Sequence, residues 1–582
     1  LLLFAGIPLK ILYAKQITLN INYMFKKYIS TLLFVTIGTL LNAQYIKPSA
    51  EKKLLKHIQY LADDKLEGRL TGTPGEQLAA AYISKKLKST GVKPGGENST
   101  YLQAFEFIDD VEPTEKTWLK VNGETWLPET DYYPIDGSGN GLVTGDLFFA
   151  GFGIKAPELN YNSYEGKGER KGDIFVIELG APDGNHPHSK YVDYLKLDKK
   201  MATAIEEGAA GIIFINLGDP ENDPTSELNA KVSPYPIPVI FIKRSFNYLA
   251  ADDLSFQVDI ERHKGLGHNV LGFIDNKAAT TIVIGAHYDH LGYGGSHSLY
   301  RGEPAIHNGA DDNASGVSLM LELASLLKKS KLKQNNYLII AFSGEELGLY
   351  GSSYFTKSGL MDRYKINYML NMDMVGRLDP TENIVIVNGV GTSPVWKNII
   401  TEEEQSHTTA PVLKIKTTEG GIGPSDQTSF YFKDIPAIHF FSGTHNDYHK
   451  PTDDWDKINT TGMRLIGDFM MGVITRLDGK GKLEFTKTKD NEGGKVSAFK
   501  VTLGVVPDYA YEGEGLRVDG VTDGKPASVA GIIAGDVILQ MNDEKIKDIY
   551  AYMAALGKFK KGEVVKVTLK RGGEDKVVEV KF

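Results

Sequence analysis

Thr281-Ile282-Val283-Ile284-Gly285-Ala286-His287-Tyr288-Asp289-His290 sets a short apolar run directly against a histidine and an aspartate. A run this brief and this apolar suits a strand buried on both faces better than a helix, which would need more length and a polar face. The same figure recurs. Tyr337 to Phe342 leads into Ser343-Gly344-Glu345-Glu346, Ile366 to Met372 leads into Asp373, and Ile435 to Phe441 precedes His449 by one loop. With helical segments such as 314–329 between these runs, the region reads as an α/β domain, a central sheet flanked by helices. Open α/β sheets bind ligands outside the carboxyl ends of their strands, so residues far apart in sequence converge there.

Outward from that core, Leu54, Leu55, Ile58 and Leu61 recur at helical spacing, and 75–87 forms a second helical segment. The loop Leu66-Glu67-Gly68-Arg69-Leu70-Thr71-Gly72-Thr73-Pro74 separates them. From 136 to 261 short apolar runs alternate with glycine-rich turns, which predicts a small α/β domain inserted between 50–135 and 262–480 of the larger one. A charged linker follows at 481–496, and 497–582 forms a compact unit of short strands with one or two helices.

At 582 residues the chain is too long for one hydrophobic core. A net charge of −9 gives no support to a nucleic-acid partner. There is no cysteine, which removes disulfides, thiol catalysis and cysteine-ligated zinc. Met24-Phe25-Lys26-Lys27 followed by the apolar 28–41 and Leu41-Asn42-Ala43 has the form of a signal peptide over 24–43, cleaved after Ala43, with 1–23 lying upstream. The apolar stretch falls short of the roughly 17 to 25 residues that span a bilayer. The expectation is an exported protein, periplasmic or secreted, without a stable membrane anchor.

A catalytic metal needs histidine or carboxylate ligands and an open position, and a metal pair needs a carboxylate able to lie between both ions. His287 and Asp373 could hold one ion, Glu346 and His449 a second, with Asp311 between them. Each has a plainer reading: Asp312 as a cap of the helix that follows, His449 as a surface residue beside Tyr448, Glu345 and Glu346 as solvated loop carboxylates. If the chain leaves its strand extended, the side chains of Glu345 and Glu346 point to opposite sides. One could then bind metal while the other takes a proton. There is no Gly-x-Ser-x-Gly elbow, His-Glu-x-x-His helix or Walker loop.

Five ordered motifs, Gly285–His290, Asn308–Gly316, Phe342–Gly348, Asn371–Met374 and Asp447–His449, resemble the M28 family of metallopeptidases. The resemblance implies a mixed central sheet flanked by helices, of the zinc exopeptidase, phosphorylase/hydrolase-like type. It implies two Zn2+ ions per chain held by His287, Asp311, Glu346, Asp373 and His449, with Asp311 bridging, a cis Asp311–Asp312 peptide and Glu345 as general base. It further implies an orienting role for Asp289 behind His287, Tyr448 as an oxyanion donor, and only structural support from Asp454. Ser425-Asp426-Gln427 departs from relatives with histidine at the third position. The insert resembles a protease-associated domain. The last unit resembles PDZ domains, which implies capture of a peptide C-terminus beside Gly515, Leu516, Arg517 and Val518.

The implied activity is release of N-terminal residues from peptides. A carboxypeptidase or dipeptidase, a one-zinc glutaminyl cyclase and a non-catalytic peptide-binding protein are the competing readings. Oligomeric state is not readable.

Overall fold

The computed structural model describes residues 46–582 apart from 167, 169, 185–188, 219, 231, 244–245, 248, 250, 252, 296, 408–410, 489–500, 508–513, 523, 534 and 548. The expected signal segment and its upstream residues, and 489–496 of the linker, lie outside the described residues.

The central sheet is mixed. In chain order its strands are β1 (Lys93–Pro94), β2 (Leu102–Pro113), β3 (Ile260–Ile274), β4 (Thr281–His287), β5 (Asn336–Phe342), β6 (Ile366–Met372), β7 (Ile384–Asn388), β8 (Lys414–Thr418) and β9 (Ala437–Phe441). Their spatial order is β1-β3-β5-β4-β6-β9-β7-β8, with β2 also paired to β3. The strands β5, β4, β6 and β9 run parallel as neighbours, and their carboxyl ends share one edge.

The apolar runs become central strands because both faces are covered. Ile282, Ile284 and Ala286 pack on one side with helices α1 (Glu51–Leu61), α2 (Pro74–Ser89), α3 (Gly316–Lys329), α4 (Trp396–Ser406) and α5 (Thr460–Leu477). Val283 packs on the other with Leu338, Ile340, Phe355 and Phe430. Helix α2 starts where the sequence places a cap and a proline: the Thr73 hydroxyl accepts from Glu76 N and Pro74 occupies the first turn. Among the described residues no helix is long and apolar enough to cross a membrane.

The insert is wider than the 136–261 expected. Trp118–Val121 and Glu124–Trp126 join Leu254–Val258 and Gly141–Thr144 in one sheet, and Tyr132–Pro134 edges the other, which continues through Val239–Ile242, Gly211–Ile215, Ile174–Glu178 and Leu147–Phe149. The reason is pairing: β2 ends at Pro113 opposite Ile260, and Thr114 then donates from its backbone N to Asp259 O at 2.8 Å, closing the unit off. The last unit has its own core, including Leu516, Ile538, Val567 and Val580.

Candidate active site

His287 ends β4, Asp373 follows β6, and Glu345 and Glu346 lie on the turn after β5. His449 comes in on the loop after β9, at positive φ (53°), with its Nδ1 2.9 Å from His297 O. These are the strand-end positions read from the sequence, and the fold brings them together.

The residue between the histidines is Asp312. Its Oδ1 lies 3.3 Å from His287 Nε2 and its Oδ2 lies 3.2 Å from His449 Nε2. Asp373 Oδ1 is 3.2 Å from His287 Nε2, and Glu346 Oε2 is 3.2 Å from His449 Nε2. Two donors on one tetrahedral zinc, each at 2.0–2.1 Å, stand about 3.3 Å apart. These four separations therefore fit two cation positions sharing Asp312.

Asp311, expected in that role, is directed elsewhere. Its Oδ1 accepts from Gly376 N at 2.6 Å and its Oδ2 faces His445 Nε2 at 3.2 Å. Nor does Asp312 cap α3, whose N-cap residue is Ser315 with no capping side-chain bond. The physical reason lies in the turn. Buried Asp453 accepts from the backbone N of both Asp311 and Asp312, at 3.0 and 3.1 Å, fixing the backbone so that only the second carboxylate faces the histidines. The cis peptide is Asp312–Asn313, one bond later than expected. Gly309, at φ +55°, precedes this turn; a Cβ there would stand 2.2 Å from Asp312 O and 2.5 Å from His290 Cδ2.

Asp289 holds more than His287. The imidazole Nδ1 is 3.3 Å from Asp289 O and 3.7 Å from its Oδ1. The carboxylate itself accepts from Glu345 N at 3.2 Å, Glu346 N at 3.4 Å and Thr71 Oγ1 at 3.1 Å. It thus fixes the glutamate turn through the backbone. Tyr448 stacks on His449 with ring centroids 3.9 Å apart.

The electrostatics follow from packing so many charges in one dry place. Burial opposes charge on His287, yet Asp373 and Glu345 hold its imidazole well above the usual range. His449 is raised likewise, against burial, chiefly by Glu346 and Asp312. Burial also works against the Asp312 carboxylate, but His290, His287 and His449 hold it well below normal, and Glu346 falls to about 2 for the same kind of reason. Glu345 goes the other way: burial raises it well above the carboxylate range, and Glu346, Asp373 and Asp426 add to that against the pull of His287. Burial, then the surrounding carboxylates, raises the Tyr448 hydroxyl. Buried Asp426 is pushed up to about 7.

Sequence reading missed Arg69, Asp453, His290 and His445. Arg69 is buried, and its guanidinium donates to Tyr288 O (2.7 Å), Asn308 O (2.6 Å), Gly309 O (3.0 Å) and Leu61 O. Burial lowers it to about 10, with Asp312 the leading opposing charge. Its only sequence signal was its place in the Leu66–Pro74 loop. Asp454 accepts from Asn308 Nδ2 at 3.1 Å, a supporting contact as expected. Gln427 Oε1 accepts from Asn371 Nδ2 at 3.1 Å.

Residues 269–474 match the model of peptidase family M28. Residues 484–582 match the PDZ domain model. The chain is 25% identical over 480 residues to aminopeptidase YwaD of Bacillus subtilis, covering 77% of this chain and 92% of that protein. It is also 25% identical to an aminopeptidase of Pseudomonas aeruginosa, covering 58% of this chain and 59% of that one. A solved aminopeptidase from Aneurinibacillus sp. strain AM-1 superposes over 75% of this chain and 95% of its own, at 24% identity and TM-score 0.41. Over residues 269–474 the chain is thus similar to M28 peptidases, and over residues 484–582 to PDZ domains.

In that last unit Gly515 leads into the strand Leu516–Val521, which holds the other three residues of the expected peptide site, Leu516, Arg517 and Val518. Gly515 N donates to Lys547 O at 3.1 Å; Leu516 and Arg517 pair with Ile538 and Val537, and Val518 pairs with Pro507. Among the described residues Val505–Pro507 and Glu574–Lys581 are the two end strands of this sheet.

Proposed function

We propose that the chain is a two-zinc exopeptidase of the aminopeptidase type. One ion is assigned to His287, Asp373 and Asp312, the other to Glu346, His449 and Asp312. The observation that carries this reading is Asp312, whose two carboxylate oxygens each face one imidazole at 3.3 and 3.2 Å.

Zinc in such a donor set supplies Lewis acidity, lowering the pKa of water and polarising a carbonyl. The chain's own residues do the rest. Glu345, on the turn fixed by Asp289, is placed to take a proton from the attacking water and return it to the leaving amine. Burial, and after it the carboxylates of Glu346, Asp373 and Asp426, raises its carboxyl; bound dications would offset that local negative charge. Tyr448, kept protonated, offers a hydroxyl to the developing oxyanion. The insert is read as a protease-associated domain, and Gly515 to Val518 as the place where a peptide C-terminus would bind. Export rests on the form of residues 24–43 alone.

The test is a comparison of zinc-loaded protein on peptides with free and with blocked N-termini. Cleavage confined to free N-termini supports the reading. Equal cleavage of blocked peptides from the carboxyl end would overturn it.

A further inference from the structure

His290, three residues after His287, belongs to none of the roles assigned above, yet it is 0% exposed and sits against the same carboxylates. Its Nδ1 is 2.7 Å from Glu346 Oε1 and 3.8 Å from Asp312 Oδ2. Its Nε2 is buried and makes no hydrogen bond among the described residues. The ring is confined by the glycine at 309, and by the His449 ring at 5.8 Å and 71°.

Two roles are open to such a nitrogen, and distance separates them. The separations within the ligand set are 3.2–3.3 Å, as for donors sharing one ion. The His290–Glu346 contact is shorter, at the length of a charge-assisted N–H···O− hydrogen bond. Its distance to Asp312, 3.8 Å, lies outside both ranges, although His290, Asp312 and Glu346 stand close enough together to hold an ion. Glu346 is therefore held at both ends, Oε1 by His290 and Oε2 facing His449.

We infer that His290 is a positioning residue whose Nδ1–H ties down Glu346 Oε1, leaving Oε2 as the single oxygen offered to the second cation. This rests on the two-metal reading. The tautomer it requires keeps a lone pair on Nε2, where the ligand role would bury an N–H without an acceptor. A carboxylate anchored this way cannot swing to a bidentate or outward pose, so the second cation position is pre-organised by a group that never touches the ion.

The experiment titrates Co2+ into the metal-free protein, following absorption and chelator competition, for wild type, His290→Asn, His290→Phe and His290→Leu. Asparagine keeps an N–H near the position of Nδ1 and replaces imidazole poorly as a ligand. Phenylalanine and leucine remove the donor, and whichever retains the wild-type circular dichroism is used. The expected result is near wild-type affinity for the second Co2+ in His290→Asn, a loss of about 10–100-fold in the donor-free variant, and an unchanged first site. An asparagine variant as weak as the donor-free one would make His290 a ligand and overturn the inference. Undiminished binding without the donor would overturn it as well. Wild-type protein that takes up fewer than two ions would instead overturn the two-metal reading itself.

Discussion

Two adjacent aspartates divide the labour at the centre of this site. Asp312 faces both histidines, while Asp311 faces Gly376 N and His445. Asp312→Ala is expected to bind fewer than two equivalents of zinc by elemental analysis and to lose activity, whereas Asp311→Asn should retain both ions. Glu345→Gln is expected to keep its metal and lose about 10²–10⁴-fold in kcat. Intact turnover in that variant would remove Glu345 from the proton transfer. Residue identity at strand ends was legible in the sequence because apolar runs mark where buried strands stop. Which of two neighbouring carboxylates turns inward was not, since Asp453, some 140 positions away, decides it by holding both backbone N–H groups. Arg69 was illegible for the same reason: its acceptors are backbone carbonyls, which every residue carries.

At the level of elements, that arginine ties together the loop before α2, the segment after β4 and the turn before α3. Arg69→Met would leave several buried carbonyls without donors. A loss of about 3 kcal/mol or more in denaturant unfolding is expected, well above an ordinary surface change. Helices α1 and α2 meet at His57, whose Nδ1 lies 2.8 Å from Tyr82 Oη. Burial, then Lys86 and Lys53, lower this imidazole to about 4. Unfolded, it binds its proton near 6.5, so between those values the unfolded state holds more protons and stability falls as the pH drops. The contribution is complete above about 6.5 and lost on passing below about 4. Its upper size is about 3 kcal/mol. Melting temperatures across pH 7 to 4 should fall less steeply in His57→Gln than in wild type; equal slopes would exclude His57 as a source.

On the scale of the whole molecule, the order of the units was readable from changes in sequence texture. The start of the insert was not, because Trp118–Val121 looks like any strand until its partner Leu254–Val258 is known. The proposed catalytic groups lie between 287 and 449, and among the described residues the last unit shares no strand with the central sheet. A chain ending at 488 is therefore expected to keep wild-type kcat/KM on short peptides, measured beside the full chain. A tenfold fall would show that the PDZ unit supports the site.

The two long strands that carry the insert have a consequence of their own. They run paired from Pro113 opposite Ile260 to Leu102 opposite Val270. At their inner end Asn269 accepts from Ser343 N and donates to Gln103 and to Gly351 O. Ser343 stands two residues before Glu345. The ribbon thus joins the insert, through the side chain of Asn269, to the turn that carries the proposed base, so Asn269→Ala would cut the hydrogen bond to Ser343 N at that junction.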